Sequence, residues 1–256
     1  MTGVHLEPAV AEPQQRLVVH LDDGAATTAH VGRFEPSLVA PRLVVLAPPR
    51  PLLECCSERG IADAIVGGFF IRSEGTPLGE LWVDGERRPS QPFDSPWDAQ
   101  RACVRIDDHS IELGRREDFP AEFEGELLQA GPMLVADGAN LIEGVADPEG
   151  FSSAAGQFDS DITAGRYPRA ALGIGPAGLI AFVCDGRGDS DAGLTMTELA
   201  TAMIELGAER AINLDGGGSA SLVLGGELVN EPREEHGIPL AGGRPVSTAI
   251  AFEPRA

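Results

Sequence analysis

The sequence of 256 residues contains no lysine, because all 19 of its basic residues are arginine. The absence of lysine excludes a P-loop phosphate site, Schiff-base chemistry and a kinase-type catalytic lysine, since each needs a primary amine. The 40 acidic residues also outnumber the basic ones and give a formal net charge of −21. A surface of this charge repels a phosphate backbone, so nucleic-acid binding is not expected.

Long apolar runs are missing too. The longest uncharged stretch, residues 170–184, is interrupted by three glycines and a proline, which makes it too short and too broken for a bilayer-spanning helix. The first fifteen residues contain no basic segment followed by an apolar core, so they do not resemble a secretory signal. The sequence therefore predicts a protein without a membrane span and with a cytoplasmic location, or a secreted protein if a leader has been removed.

Cysteine is scarce, and its spacing matches no metal-binding or redox motif. Cys55 and Cys56 are adjacent, while Cys103 and Cys184 lie in apolar segments. Free cysteine is among the most buried residue types. We therefore expect four buried free thiols.

Short apolar runs bounded by Gly, Pro or Asp recur along the chain and predict antiparallel strands rather than alternating β-α units. Single strands are predicted at residues 17–21, 43–47, 81–83, 103–106, 111–113, 133–136, 211–214 and 246–252. Two hairpins are predicted as well. One joins residues 171–174 to 179–184 through a four-residue connection, and the other joins residues 222–224 to 228–229 through Gly225 and Gly226.

Two segments have helical character. Residues 52–65 form one, before a turn at Gly67 and Gly68. The other begins at Thr195, where Glu198 three residues later indicates a capping box, and ends at Gly207. The predicted fold is α+β: a single domain of residues 1–256 with a mixed, largely antiparallel β-sheet core and a few flanking helices. Residues 1–35 are expected to form an N-terminal arm or edge strand.

The run from Asn213 to Ser219 is the most informative segment, because a strand there leads through Asp215 into Gly216, Gly217 and Gly218. Successive backbone N–H groups in such a turn can converge on an anion. The same turn also fits a crowded structural corner.

Arginines stand near the glycine-rich turns. Arg187 follows Asp185 at the end of one hairpin strand, Arg169 opens that hairpin, and Arg244 precedes the last strand. Arginine binds phosphate oxygens bidentately, so together they predict a local positive pocket, although each alone also fits a surface ion pair.

Several blocks, in this order along the chain, resemble the phosphodiester glycosidase domain family. They are Gly67-Gly68-Phe69-Phe70, Gly131-Pro132-Met133-Leu134-Val135, Arg169-Ala170-Ala171-Leu172-Gly173, Asp185-Gly186-Arg187, Gly193-Leu194-Thr195 with Glu198-Leu199-Ala200, Asn213 to Ser219, Asn230, and Arg244-Pro245-Val246. The resemblance spans roughly residues 60–253. It implies hydrolysis of a sugar 1-phosphodiester between the anomeric carbon and the phosphate oxygen, which releases free sugar and a phosphomonoester.

Three positions depart from the family pattern. Val66 stands where an asparagine commonly precedes the double glycine, Ala170 where a threonine commonly follows the arginine, and Thr248 where an asparagine is frequent. These changes shrink or remove polar groups. They leave open an alternative function, a non-catalytic protein that binds glycosyl phosphates or anionic glycans on the same fold.

The chemistry of a glycosyl phosphate decides which residues face which end of the bond. The leaving group is a phosphomonoester, so the enzyme must neutralise its oxygens more than protonate them. A carboxylate facing the phosphate would repel it, so Asp215, or else Asp185, should face the anomeric carbon. With the resemblance, this predicts a substrate-binding set of Arg187, Arg169, Asn213, Gly216, Gly217, Gly218, Ser219, Gly67, Gly68, Thr195 and Arg244.

No cofactor is expected. A divalent cation held by Asp185, Asp189 and Asp191 is the alternative for that loop, although its spacing fits no EF-hand and a solvated loop is the default. His236, on a polar loop between Asn230 and Arg244, stays a candidate substrate contact.

Overall fold

The computed structural model describes residues 4–6, 13–108, 110–122, 124–142, 149–151 and 165–255. The strands in this part of the chain are β1 (Val4–Leu6), β2 (Gln14–Leu21), β3 (Ala26–Phe34), β4 (Val39–Arg50), β5 (Ala64–Val66), β6 (Phe70–Ile71), β7 (Thr76–Pro77), β8 (Leu81–Val83), β9 (Glu86–Arg87), β10 (Ala102–Ile106), β11 (Ile111–Arg115), β12 (Glu126–Gln129), β13 (Met133–Ala136), β14 (Ala139–Asn140), β15 (Arg169–Gly175), β16 (Gly178–Cys184), β17 (Arg210–Asn213), β18 (Leu222–Leu224), β19 (Glu227–Leu228) and β20 (Val246–Pro254). The α-helices are α1 (Leu52–Arg59), α2 (Trp97–Gln100) and α3 (Met196–Glu205), and short 3₁₀ turns cover Arg116–Asp118, Gly217–Ser219 and Glu235–Gly237.

Four sheets are built from these strands. The largest has eight strands in the order β1-β2-β3-β16-β15-β17-β13-β14, and two others have five strands each, β11-β10-β12-β8-β9 and β19-β18-β5-β20-β4; β6 and β7 form a small fourth sheet. All ladders between these strands are antiparallel, and Leu78 and Gln91 form a parallel bridge. The predicted α+β class with a largely antiparallel core is confirmed.

The centre of the eight-stranded sheet is buried on both faces. Along β15, Ala170 and Leu172 belong to a core cluster shared with β4, β5, β18 and β20. Ala171, between them, belongs to a second cluster that includes Leu199 and Met203 of α3. This alternation follows from the two-residue period of a strand. It also explains why the central hairpin reads as a nearly continuous apolar run.

The capping box predicted for α3 is present. The Thr195 hydroxyl oxygen accepts from the Glu198 N–H at 3.2 Å, and the Glu198 carboxylate accepts from the Thr195 N–H at 2.8 Å. In the central hairpin, Gly175 and Gly178 pair with each other. The connection is therefore two residues long rather than the predicted four, because the backbones of both glycines continue the ladder.

Other segments differ from the predictions in length or position. The first helix ends at Arg59 rather than Ile65, because Gly60 adopts a left-handed φ of 68° and caps it, and Ala64–Val66 is strand β5. In the N-terminal segment, β1 lies at the edge of the eight-stranded sheet, whereas β3 lies inside it between β2 and β16. All four cysteines are buried and free, as predicted. Among the described residues, no helix has the length and apolar character needed to cross a bilayer.

Candidate active site

The loop that follows β17 is tied to two other segments at one end of the sheet. The Asp215 N–H donates to the Gly67 carbonyl at 2.9 Å, and the Gly217 N–H donates to the Pro168 carbonyl at 2.8 Å. Residue 67 follows β5 and residue 168 precedes β15, so two distant segments of the chain hold this loop. Rigid support of this kind suits a catalytic or binding loop.

Gly67 and Gly68 act as that support. Their N–H groups donate to the Thr248 carbonyl at 2.8 Å and to the Thr248 hydroxyl at 3.0 Å, respectively. A Cβ on Gly67 would lie 2.5 Å from the Thr248 hydroxyl oxygen, so only glycine fits. Of the three departures from the family pattern, Thr248 therefore keeps a polar role, whereas Val66 and Ala170 are fully buried in the core.

Asp215 lies at the start of the loop and is partly exposed. Its carboxylate accepts from the Ser219 hydroxyl and from the Gly216 N–H, the latter at 3.0 Å. Desolvation by the surrounding protein raises the pKa of Asp215 to about 6, although these hydrogen bonds and the charges of Arg244 and Arg72 oppose the shift. A carboxyl group with this pKa is ionised at neutral pH and takes up a proton in mild acid, as acid–base chemistry requires.

The N–H groups of the glycine run do not all converge on one point, which differs from the array predicted. The Gly216 N–H donates to the Asp215 carboxylate, and the Gly217 N–H donates to the Pro168 carbonyl. The Ser219 N–H donates to the Gly216 carbonyl at 3.1 Å. The chain enters a 3₁₀ turn at Gly217, and the Ser219 N–H is used within this turn. The Gly218 N–H is left without a partner among the described residues.

Two guanidinium groups flank this turn. A Cβ on Gly217 would lie 3.5 Å from both terminal nitrogens of Arg187, and a Cβ on Gly218 would lie 2.8 Å from Nη2 of Arg244. Side chains at these glycines would therefore occupy the space beside the arginines. The structure brings together Asp215, the three glycines, Ser219, Arg187 and Arg244, as one site requires.

The two arginines differ in how their charge is used. Arg187 donates from Nη1 to the Arg233 carbonyl at 3.1 Å and has no carboxylate within ion-pair distance among the described residues. Burial lowers the pKa of Arg187, and the Arg244 charge adds to the effect. Arg244 instead forms a bidentate ion pair with Glu234, with Nε 2.8 Å from Oε1, and its Nη1 is 3.5 Å from the Ser219 hydroxyl oxygen.

Arg169 and Thr195 use their side chains in hydrogen bonds within the protein. Arg169 is buried and donates to the carbonyls of Leu194 at 2.9 Å and Gly165 at 3.2 Å. Desolvation lowers its pKa to about 10. The ring of Tyr167 lies between two guanidinium groups, 5.2 Å from that of Arg169 and 5.5 Å from that of Arg187. The Thr195 hydroxyl is used by the α3 cap.

Asn213 contributes an unpaired acceptor. Its amide nitrogen donates to the Gly131 carbonyl at 2.9 Å. Its Oδ1 is buried and has no hydrogen-bond partner in the described part of the chain. An unsatisfied buried carbonyl is costly, so a ligand hydroxyl that donates to it would be favoured.

Asp185 is oriented toward the protein rather than toward an open cleft. Its Oδ1 accepts from the Glu231 N–H at 2.8 Å, and its Oδ2 lies 3.2 Å from Nε2 of His30. The residue is buried. Both carboxylate oxygens therefore anchor the loop that begins at residue 231 to strand β3, a role that the position of Asp185 in the sequence did not indicate.

The proposed cation set is spread apart. Asp189 is exposed, and Asp191 accepts from the Thr28 N–H at 2.6 Å and from the Ser190 hydroxyl at 2.9 Å. Over the described ranges, no group of three or more His, Cys, Asp or Glu side chains is arranged to hold a metal ion. His236 is exposed and takes a left-handed φ of 61° on the rim.

Sequence reasoning missed Arg72, Tyr167 and Glu234. Arg72 acts through its charge on both Asp215 and Glu234. Tyr167 directly precedes the Pro168-Arg169 block, so its position was the available signal. No sequence signal pointed to Glu234, because its partner Arg244 lies ten residues away across an irregular loop.

The fold and this arrangement define an α+β protein with an arginine-flanked glycine turn beside a titratable carboxylate. The phosphodiester glycosidase family matches residues 59–253, and the chain belongs to this family.

The chain is similar to three known proteins, one in sequence and two in fold. It is 31% identical over 175 residues to the human N-acetylglucosamine-1-phosphodiester alpha-N-acetylglucosaminidase, a match that covers 66% of this chain and 33% of that protein. The chain thus spans about a third of that relative's length. Its fold is similar to that of the catalytic domain of the zebrafish enzyme of the same name, auto-inhibited by its pro-peptide, with a TM-score of 0.68, 20% identity and coverage of 100% of this chain and 88% of that one. A hypothetical protein from Synechocystis is similar with a TM-score of 0.63, 17% identity and coverage of 99% and 68%.

Proposed function

We propose that this protein hydrolyses a sugar 1-phosphodiester at the bond between the anomeric carbon and the phosphate oxygen, releasing free sugar and a phosphomonoester. One observation carries the proposal: Asp215, with a pKa of about 6, lies at the same glycine turn as the Arg187 guanidinium, which forms no ion pair with any carboxylate that the structure describes. Membership of the phosphodiester glycosidase family supports it.

The two ends of the scissile bond call for opposite charges. Negative charge grows on the departing phosphate as the diester becomes a monoester, so Arg187 and the Gly218 N–H are assigned to the phosphate oxygens. Positive charge grows on the anomeric carbon, where a carboxylate is stabilising. Asp215 is assigned to this end, since a carboxylate 4 Å from the phosphate would cost about 1 kcal/mol even in water.

Asp215 acts in its ionised form, as nucleophile or as base to a water molecule. The Ser219 hydroxyl links it to Arg244, because Ser219 donates to Asp215 and accepts from Arg244. This link fixes the carboxylate at one edge of the turn. Asn213 Oδ1 is assigned to a sugar hydroxyl, which would supply its missing donor.

The test is hydrolysis in ¹⁸O-labelled water of N-acetylglucosamine 1-(methyl phosphate), whose linkage is the one named for the human relative. Mass spectrometry of the products identifies the bond that breaks. Label in the sugar is the expected result, because water then attacks carbon. Label in methyl phosphate would show attack on phosphorus and overturn the proposal, and Asp215→Asn serves as the inactive control.

The alternative is a non-catalytic protein that binds glycosyl phosphates or anionic glycans. It is favoured by Val66 and Ala170, which fill the core at positions where relatives commonly carry polar groups. Binding of the same diester by calorimetry, without release of reducing sugar after prolonged incubation, would select this alternative.

A further inference from the structure

Both guanidinium groups beside the glycine turn are bound by two consecutive residues of one loop. This loop, residues 231–243, connects β19 to β20. Arg187 donates to the carbonyl of Arg233 at 3.1 Å, and Arg244 holds the side chain of Glu234 in a bidentate pair. The loop therefore places one carboxylate where an anion would bind.

The position of Glu234 is fixed by the loop. The Glu234 N–H donates to the Ile238 carbonyl at 2.8 Å, and the Leu240 N–H donates to the Pro232 carbonyl at 2.9 Å. At the start of the loop, the Glu231 N–H is held by Asp185. Glu234 is thus part of an ordered framework, unlike the long side chains of most surface ion pairs.

The ion pair changes the charge that the site presents. The hydrogen bonds from Arg244 lower the pKa of Glu234, and the charges of Arg72 and Arg187 add to the effect, so Glu234 is ionised at neutral pH. The Arg244 and Glu234 side chains are only 11% and 32% exposed, so screening of their interaction is reduced. Glu234 therefore pairs with the charge of Arg244, which leaves the single charge of Arg187, a guanidinium group with no carboxylate within 4 Å in the described part of the chain.

This charge matches one form of phosphate better than another. A phosphodiester carries one negative charge, whereas a phosphomonoester carries between one and a half and two at neutral pH. The second negative charge of a monoester would find Arg244 already paired with Glu234, and Glu234 would repel it. Specificity can be achieved by such a repulsive element as well as by attraction.

We propose that Glu234 is a specificity-determining residue that makes the site bind a phosphodiester in preference to a phosphomonoester. The inference rests on the proposed function and extends it. In a hydrolase, this selection would also speed product release, because cleavage converts the preferred monoanion into the disfavoured dianion.

The test compares two probes that differ by one methyl group and one charge, dimethyl phosphate and methyl phosphate. Neither contains a glycosyl bond. Their dissociation constants are measured at pH 8 by NMR titration of the wild-type protein and of Glu234→Gln. Glu227→Gln is the control, because Glu227 is exposed and forms no ion pair within 4 Å in the described part of the chain.

The wild type is expected to bind dimethyl phosphate at least as tightly as methyl phosphate. Glu234→Gln should tighten methyl phosphate by about tenfold or more, with less than about a threefold change for dimethyl phosphate. Glu227→Gln should change neither by more than about twofold, because solvent and salt screen an exposed charge.

Equal tightening of both probes would show that Glu234 merely blocks anions, and weakening of both would show that it only orients Arg244. Either result overturns the inference, as does binding of neither probe to any variant. The expected shift in selectivity in a protein that hydrolyses no glycosyl diester would instead uphold the role of Glu234 and refute the proposed hydrolysis.

Discussion

Replacing Asp215 by asparagine removes the charge of the carboxylate and keeps its shape. The effect on stability follows from the raised pKa. The pKa of Asp215 is 3.8 in the unfolded chain and about 6 in the folded protein. The folded state therefore binds the proton more tightly than the unfolded chain does. Ionisation of Asp215 therefore destabilises the fold progressively as the pH rises through this window, and the full cost is reached above pH 6.

The size of the cost can be worked out from the two pKa values. The linkage relation gives about 3 kcal/mol at pH 7.5 and about half of that at pH 5.0, as upper values for a partly exposed group. Asparagine cannot ionise, so Asp215→Asn should be more stable than wild type at pH 7.5, and this gain should be about half as large at pH 5.0. Loss of hydrogen bonds to Ser219 and Gly216 would offset part of this gain about equally at both pH values.

Urea unfolding at the two pH values measures the gain, and turnover of the diester measures the catalytic role. We expect turnover of Asp215→Asn to fall by about a hundredfold or more, on the scale of other acid–base groups. The exposed Asp189→Asn should change neither stability nor turnover. A variant that keeps more than about a tenth of the activity, or whose gain in stability does not depend on pH, would refute the assignment of Asp215.

Three further substitutions, one of them with a matched control, test the surrounding residues. Arg187→Lys should lower kcat/KM by about ten- to a hundredfold, because an ammonium group cannot replace the bidentate contact; a loss below about twofold would assign Arg187 a surface role. Gly217→Ala and Gly60→Ala should each cost about 1 to 2 kcal/mol in thermal unfolding, since both glycines have left-handed φ, but only Gly217→Ala should lose activity, because its Cβ would face Arg187. Asp185→Ala should lower the unfolding free energy by about 2 to 4 kcal/mol through loss of the His30 contact, with less than about a tenfold change in kcat. A hundredfold loss of kcat in a stable Asp185→Ala protein would return the catalytic role to Asp185.

Elements defined by neighbouring residues could be predicted from the sequence. The α3 helix was predicted from Thr195 and Glu198, because a capping box is formed by side chains and backbone within one turn. The central hairpin was predicted from its glycines and proline. Strand β3 was not recognised, because Thr27, His30 and Arg33 interrupt its apolar pattern. These polar residues are accommodated by distant partners: Thr27 and His30 by Asp185, and Arg33 by the Leu206 carbonyl.

The sequence by itself determined the glycine turn, the carboxylate that precedes it and the fact that every basic side chain is a guanidinium group. Residue type and short-range order were sufficient for these features. Only the tertiary structure decided which charges are available: within the described residues Arg187 has no carboxylate in ion-pair contact, Arg244 is paired with Glu234, and Asp185 is bound by His30. Pairing and desolvation depend on groups brought together from distant parts of the chain, and these interactions set the charge and the pKa values of the site.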